Sequence, residues 1–226
     1  MEDFCALSHV MNSLDWGRRM SKVDVISKSM HEVQEDCKAW AKEISNSYWP
    51  DVIIFIAKSG YLFAEPMAKI FNVPMADILV MRPGNTKKDM IKKLVPRIPK
   101  PILYMSLKSK FMYGYNDKNN EREVRITERL RAVDFSKVNR ILIIDDSVDT
   151  GWSILQAEEV IKELAPNAEV KVAGYCVIDM SEGRVHVDFY RYRNEIVITA
   201  TSRYSNENQI FLDSYERWKD TANTFE

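Results

Sequence analysis

Two adjacent carboxylates, at positions 145 and 146, are the residues whose types and spacing most directly indicate chemistry. They follow the aliphatic run Ile141–Ile144, which is typical of a strand buried on both faces of a parallel sheet. We expect this strand to end at the acids. Ligands bind beyond the carboxyl ends of strands in open α/β sheets, so the acids would lie at a ligand site. Asp145 and Asp146 would then both accept hydrogen bonds from one polyhydroxylated ligand. The alternative is an acidic strand end that caps the next helix.

A short loop follows the acids and leads into a helical pattern that begins near Ile154. A strand, a tight loop and a helix together place backbone N–H groups and a helix N-terminus around a phosphate. Two carboxylates beside such a phosphate cradle predict a sugar-phosphate site. The loop residues are Asp149, Thr150, Gly151, Trp152 and Ser153.

The segment Ile141–Ser153 resembles the phosphoribosyl-diphosphate (PRPP) motif of type I phosphoribosyltransferases. That motif has four hydrophobic residues, two acids, two mostly aliphatic positions and Asp-Thr-Gly-x-Ser/Thr; Ser147 is an unusual residue at the first aliphatic position. The resemblance implies that Asp145 and Asp146 bind the ribose 2′ and 3′ hydroxyls. It also implies that residues 149–153 wrap the 5′-phosphate, and that Asp149 accepts a proton from the base, as proposed for the purine branch.

A second candidate anion site follows the predicted strand Asp51–Ile56, where the chain reads Ala57, Lys58, Ser59 and Gly60. Gly60 would let the backbone turn, Ser59 would donate a hydrogen bond, and Lys58 would supply positive charge. An ordinary strand–helix turn is the alternative. The stretch is similar to the family's pyrophosphate loop, with a serine in place of its first glycine. This likeness implies a catalytic role for Lys58 and a cis peptide bond between Ala57 and Lys58.

Composition excludes several functional classes. The chain has 226 residues, 46% of them hydrophobic, and a net charge of −1, so we expect one α/β domain and no nucleic-acid binding. Its apolar runs are too short to span a membrane, and the N-terminus does not resemble a secretory signal, so we expect a cytoplasmic protein without a membrane partner. The three cysteines have no CxxC spacing, which favours reduced thiols.

The predicted fold is a doubly wound, parallel, Rossmann-like α/β sheet with helices on both faces and a small hood built from the chain ends. We expect a single domain over residues 1–226, with a core at about 28–205 and packing extensions at 1–27 and 206–226. The dipeptide Glu65-Pro66 predicts a helix start with proline at the first helical position. Other predicted strands are Asp77–Met81, Ile102–Leu107, Val170–Ile178, Asp188–Tyr192 and Glu195–Thr201.

The segment Lys108–Arg125 is polar and turn-rich, which is typical of a mobile loop. The family has a flexible loop in this part of the sequence, and that loop closes over the reacting centre and excludes water. The resemblance therefore implies a lid.

Phe189, Tyr190 and Tyr192 are candidate aromatic residues for stacking on a base, although no spacing distinguishes them from packing residues.

The resemblance implies an enzyme that transfers ribose 5-phosphate from PRPP to a nitrogen acceptor, chiefly a purine-type nucleobase, and releases pyrophosphate. The implied cofactor is Mg²⁺, held through the substrate and by Asp145 and Asp146, and the expected assembly is a homodimer. Two alternatives remain: a PRPP- or nucleotide-binding regulatory module without turnover, and an enzyme of this fold with a non-nucleobase acceptor.

Overall fold

The computed structural model describes residues 25–81, 104, 108, 122–181 and 183–221. Its strands are β1 Val25–Ser27, β2 Val52–Ala57, β3 Met75–Met81, β4 Glu123–Ile126, β5 Arg140–Val148, β6 Glu169–Val177, β7 Phe189–Arg193 and β8 Ile196–Ile198. Its helices are α1 Met30–Ser45, α2 Tyr61–Phe71, α3 Glu128–Ala132, α4 Trp152–Leu164 and α5 Asn208–Asp220. Short 3₁₀ turns cover Phe135–Lys137 and Asp179–Ser181.

The central sheet has six strands in the order β4-β3-β2-β5-β6-β7. All neighbours are parallel except β3 and β4, which are antiparallel. The mainly parallel sheet predicted from sequence is therefore confirmed, with one antiparallel edge strand that the sequence analysis had assigned to the predicted mobile loop. Strands β2 and β5 lie side by side in the middle of the sheet, so their carboxyl ends meet at one edge.

Both faces of the sheet are covered, as the uninterrupted aliphatic run of β5 indicates. Leu142 and Ile144 pack into one core with residues of α1, α2 and α5, whereas Ile141 and Ile143 pack into the other with residues of α3 and α4. Side chains alternate between the faces of a strand, so a strand covered on both sides needs apolar residues at every position. This double burial fixes the backbone that leads to the two acids.

A separate two-stranded sheet joins segments that are far apart in sequence. Strand β1 pairs in parallel with β8, with Val25 opposite Ile196 and Ser27 opposite Ile198. The N–H of Lys28 extends the pairing by donating to the carbonyl of Ile198 at 2.9 Å. Strand β1 falls in the predicted extension 1–27, whereas β8 lies within the predicted core, so the hood built from the chain ends stays a prediction.

The helix start predicted at Glu65-Pro66 is wrong, since α2 begins at Tyr61 and contains Pro66. The N–H groups of Phe63 and Ala64 both donate to the carbonyl of Gly60, so the turn after β2 starts the helix directly. The preference of proline for the first helical position was overridden, because only residues 58–60 separate β2 from the start of α2.

Some predictions fall outside the described residues: the strand Ile102–Leu107, the extension before residue 25, and the predicted lid apart from Lys108 and residues 122–125. Cys37 and Cys176 are buried and free, in agreement with reduced thiols. None of the helices in the described part of the chain is long and apolar enough to cross a membrane.

Candidate active site

The acid pair lies within β5 and not at its end, which corrects the expectation from sequence. The strand runs on to Val148, because Ser147 and Val148 still pair with Cys176 and Val177 of β6. The peptide N–H of Asp146 donates to Oδ1 of Asp145 at 2.9 Å.

The two carboxyl groups interact although they occupy successive strand positions. Burial raises the pKa of Asp145 well above its usual range, and the charge of Asp146 raises it further. Burial also raises the pKa of Asp146, while a side-chain hydrogen bond from Asp145 acts in the opposite direction. Burial and the neighbouring charge therefore both favour the protonated form of Asp145. Asp145 and Asp146 line different cavities, so the expectation that both accept from one ligand stays a prediction.

The loop after β5 folds around a small cavity of about 40 Å³ lined by Asp145 and residues 147–154. Gly151 precedes α4 with φ of +79°, a left-handed conformation that a residue with a Cβ adopts only with strain. A Cβ there would also lie 2.7 Å from Cγ2 of Val185. The glycine is therefore required both by backbone conformation and by the close approach of the loop that contains Val185.

Arg184 contacts this loop, and its contribution was not predicted from the sequence. Its guanidinium donates to the carbonyl of Thr150 and stacks 4.2 Å from the centroid of the Trp152 ring. A cation beside a phosphate cradle adds favourable charge, and the stacking fixes the orientation of the loop. The contact joins residues 34 positions apart, so no local sequence signal could have revealed it.

The second loop lies beside the acid pair, because β2 and β5 are neighbours in the sheet. The bond between Ala57 and Lys58 is cis. Gly60 lies in the turn after β2, as predicted, with an ordinary φ of −57°. A Cβ on Gly60 would instead lie 2.8 Å from the carbonyl oxygen of Ile56 and 2.9 Å from that of Ile144. Glycine allows this loop to pack directly against the residue preceding Asp145.

Lys58 contacts the C-terminal helix. Its Nζ lies 3.4 Å from Oε1 of Glu216, and the ring of Tyr215 lies 5.9 Å away. The Lys58 side chain is 53% exposed, so this ion pair is weak and open to competition by a ligand. Ser59 lies between Lys58 and Gly60 on a half-buried turn.

A larger cavity of about 160 Å³ adjoins the acid pair on the side of the small sheet. We call it the acceptor cavity; its walls include Asp146, Asp149, the rings of Phe63 and Tyr175, and the segment 195–199. Ser147 and Asp149 line both this cavity and the small one after β5, so Asp149 lies between them. The Ser147 hydroxyl donates to Oδ1 of Asp149.

The aromatic residues singled out from sequence do not line the acceptor cavity. Phe189 packs against Tyr48, and Tyr192 donates to Asp36 and packs against Tyr175. Tyr190 is exposed beside a different surface pocket. Phe63 and Tyr175 lie within the core cluster, and their sequence context resembled ordinary packing positions.

The described residues contain no group of three or more His, Cys, Asp or Glu side chains that would hold a metal by themselves. The adjoining carboxyls of Asp145 and Asp146 nevertheless interact with each other. Their oxygen atoms are of the type that a divalent cation binds, and Mg²⁺ commonly takes its remaining oxygen ligands from a substrate.

Comparison with known proteins agrees with this geometry. A family model described as the phosphoribosyl transferase domain matches residues 28–207. Orotate phosphoribosyltransferase 2 of Mesorhizobium japonicum is 44% identical over 59 residues, which are 26% of this chain and 29% of that protein. The match thus spans less than a third of that relative.

Two solved structures have a similar fold. The xanthine-guanine-hypoxanthine phosphoribosyltransferase of Helicobacter pylori superposes with a TM-score of 0.55 at 11% identity, covering 84% of this chain and 99% of that chain. A hypothetical protein from Neisseria gonorrhoeae with bound ppGpp gives a TM-score of 0.52 at 13% identity, covering 87% and 98%. Because the family model spans most of the sequence, this chain belongs to the phosphoribosyltransferase domain family.

Proposed function

We propose that this chain transfers the ribose 5-phosphate of PRPP to a nitrogen atom of a purine-type nucleobase and releases pyrophosphate. One observation carries the proposal: within ten residues, β5 and the loop after it bring the Asp145 carboxyl, a glycine with positive φ and the start of α4 around one small cavity, and the interacting carboxyl of Asp146 lines the cavity beside it. Carboxylates that accept from vicinal hydroxyls, beside amides that face a phosphate, suit a ribose 5-phosphate.

We assign each part of the proposed reaction to residues of β5 and of the two loops. Asp145 and Asp146 hold the ribose hydroxyls, and residues 149–153 hold the 5′-phosphate. These contacts fix C1 of the ribose relative to the acceptor, and such positioning accounts for much of the rate of a displacement reaction.

The loop Ala57–Gly60 is the proposed pyrophosphate site. It lies next to the acid pair because Gly60 packs against the carbonyl of Ile144. The Lys58 ammonium stabilises the negative charge that develops on the leaving pyrophosphate. Its weak contact with Glu216 is exchanged for the contact with the substrate.

Asp149 is the proposed proton acceptor. Because Asp149 lines both the small cavity after β5 and the acceptor cavity, its carboxylate would lie near both the ribose and the incoming nitrogen. The hydrogen bond from Ser147 helps to orient the carboxylate that would accept the proton of the base.

Mg²⁺ is the proposed cofactor, bound mainly by diphosphate and ribose oxygens with Asp145 and Asp146 on the protein side. When bound, it neutralises charge on the diphosphate. The residues of this chain then position the ribose and the acceptor. Lys58 adds positive charge at the pyrophosphate, and Asp149 receives the proton of the base.

A second candidate function is binding of PRPP or a nucleotide without turnover. The pairing of Lys58 with Glu216 favours it, because the cation proposed for pyrophosphate already has a partner. Ser59, in place of the family's first glycine, leaves less room for backbone to approach a ligand. An enzyme of this fold with an amine acceptor would share the PRPP site and differ only at the acceptor cavity.

Calorimetric titration of PRPP with Mg²⁺, followed by pyrophosphate release with a panel of purines, orotate and simple amines, tests these functions. Binding together with release for a purine supports the proposal. Binding without release for any acceptor supports the regulatory function. Absence of PRPP binding overturns the proposal and leaves nucleotide binding as the only form of the second function.

A further inference from the structure

The acceptor cavity carries an unusual charge for a site that binds a nucleobase. Three carboxylates line it, from Asp146, Asp149 and Glu195. None of the described residues in its walls is lysine, arginine or histidine. All three carboxylates, in addition to burial, raise the pKa of the Cys176 thiol, which lines the same cavity. Negatively charged side chains are therefore concentrated around the cavity.

Two of these carboxylates are already engaged. Asp146 accepts a hydrogen bond from Thr201, and Asp149 accepts one from Ser147. Glu195 differs, because across residues 25–81, 122–181 and 183–221 its half-buried carboxylate has no hydrogen-bond or ion-pair partner. Carboxylate oxygens that are partly removed from water are normally satisfied by donors, and here the open side of the cavity is where donors can arrive.

The location of Glu195 fits a role in recognising the acceptor. It precedes β8 and lies across the cavity from β5, which supplies the proposed ribose ligands and the proposed proton acceptor. The rings of Phe63 and Tyr175 pack against each other with centroids 4.5 Å apart and form part of the cavity wall. An acceptor inside the cavity would present its edge to both Asp149 and Glu195, which line it. One carboxylate takes the proton of the reacting nitrogen, and the other accepts hydrogen bonds from a different N–H group.

We infer that Glu195 determines acceptor specificity: it accepts hydrogen bonds from N–H donors of a neutral or cationic nitrogen heterocycle, and it excludes anionic acceptors such as orotate. This inference rests on the proposed function and narrows it. Like charges in a confined, partly dehydrated cavity repel strongly, whereas an N–H donor to a carboxylate forms one of the stronger hydrogen bonds.

Product nucleotides test the inference without requiring turnover. Ribose 5-phosphate, guanosine 5′-monophosphate and orotidine 5′-monophosphate share the phosphorylated ribose and differ only at the base position. We expect the guanine nucleotide to bind the wild-type protein at least about tenfold more tightly than the orotate nucleotide, as measured by calorimetry. In Glu195→Gln, the guanine nucleotide should bind about tenfold more weakly and the orotate nucleotide more tightly.

Glu163→Gln is the matched control, because Glu163 is exposed on α4 and lies outside the cavity. It should leave all three affinities unchanged, and Glu195→Gln should leave the affinity for ribose 5-phosphate unchanged. Equal binding of the two nucleotides, or the same preference in wild type and Glu195→Gln, overturns the inference while ribose 5-phosphate binding still supports the PRPP site. Absence of ribose 5-phosphate binding overturns the proposed function and the inference together.

Discussion

The hydroxyl of Thr201 donates a hydrogen bond to Oδ2 of Asp146 at 3.1 Å, across 55 positions of sequence. The Thr199 and Thr201 hydroxyls also share a hydrogen bond of 3.0 Å. The segment after β8 therefore orients one acid of the pair before any ligand arrives. The proposed ribose site is built from β5 and completed by the part of the chain that follows the small sheet.

Replacement of Thr201 with valine should weaken PRPP binding by roughly 5–10-fold, because one hydrogen bond that orients Asp146 is lost while the side-chain shape is kept. Calorimetric titration of PRPP with Mg²⁺ measures the effect. Thr201→Ser retains the hydroxyl and should bind PRPP nearly as well as the wild type. Equal affinities for the valine and serine variants would show that this hydrogen bond does not support the ribose site.

Asp145→Asn should stabilise the ligand-free protein above neutral pH while weakening PRPP binding by about 10–100-fold. Burial and the charge of Asp146 raise the pKa of Asp145 in the folded state. A raised pKa means that the folded protein holds a proton which the unfolded chain releases at lower pH. The stability contributed by that proton is fully present below the unfolded pKa and is lost as the pH rises through the folded pKa.

Thermal unfolding between pH 5 and pH 8 measures this difference. The melting temperature of the wild type should fall across that range, and Asp145→Asn should remove much of the fall, since about 2–4 °C accompanies each kcal/mol in a chain of this size. Asp213→Asn, an exposed position on α5, should keep the wild-type profile. A profile for Asp145→Asn that parallels the wild type would contradict the raised pKa of Asp145.

The sequence sufficed to predict features that depend on local spacing. The four aliphatics of β5, the two acids and the loop before α4 are contiguous, so their order alone predicts a strand, a turn and a helix. The apolar residues of α1 at steps of three and four likewise form its buried face, which includes Trp40. The cis bond before Lys58 was expected from the family resemblance, and the structure contains it.

Features that depend on contacts between distant segments could not be predicted. Thr201, Arg184 and Glu216 approach the site loops from 34 to 158 positions away, and nothing in their local sequence marks them. The packing constraint on Gly60 is also of this kind. Its φ is ordinary, and the constraint is the nearby carbonyl of Ile144 on a strand that comes much later in the chain.

Gly151→Ala should disrupt the 5′-phosphate site, and Gly183→Ala is its matched control. Both glycines have similar positive φ values, +79° and +83°, so both substitutions introduce similar backbone strain. A Cβ at position 151 also meets Val185 at 2.7 Å, whereas a Cβ at position 183 meets nothing within 4 Å. The Gly183 variant should therefore lose only about 1 kcal/mol of unfolding free energy and bind ribose 5-phosphate normally.

The Gly151 variant should lose roughly 2–3 kcal/mol and bind ribose 5-phosphate at least about tenfold more weakly. Chemical denaturation and calorimetry provide the two measurements. If both variants bind ribose 5-phosphate alike, the loop after β5 does not hold the phosphate, whatever their stabilities.

Asp36 of α1 holds together the elements behind the acceptor cavity. Its Oδ2 accepts hydrogen bonds from Tyr175 of β6 at 2.9 Å, from Tyr192 of β7 at 3.2 Å, and from the ammonium of Lys28, which follows β1. Burial acts to raise the pKa of Asp36, but these three hydrogen bonds outweigh it, and the pKa is lowered. The resulting stability is present above the unfolded pKa of about 4 and is lost as the pH falls through the folded pKa.

Asp36→Asn should therefore lower the free energy of unfolding at pH 7 by roughly 2–3 kcal/mol, because Lys28 loses its counter-ion in a partly buried site. The same variant should lose less further stability than the wild type between pH 5 and pH 3, since its side chain no longer titrates. Urea denaturation at pH 7, 5 and 3 measures both effects. Glu35→Gln, which removes only an exposed pair with Lys38 on the same helix, should change the free energy by less than about 1 kcal/mol. If the Asp36 and Glu35 variants behaved alike at pH 7, the contacts between α1, β6 and β7 would rest on apolar packing alone.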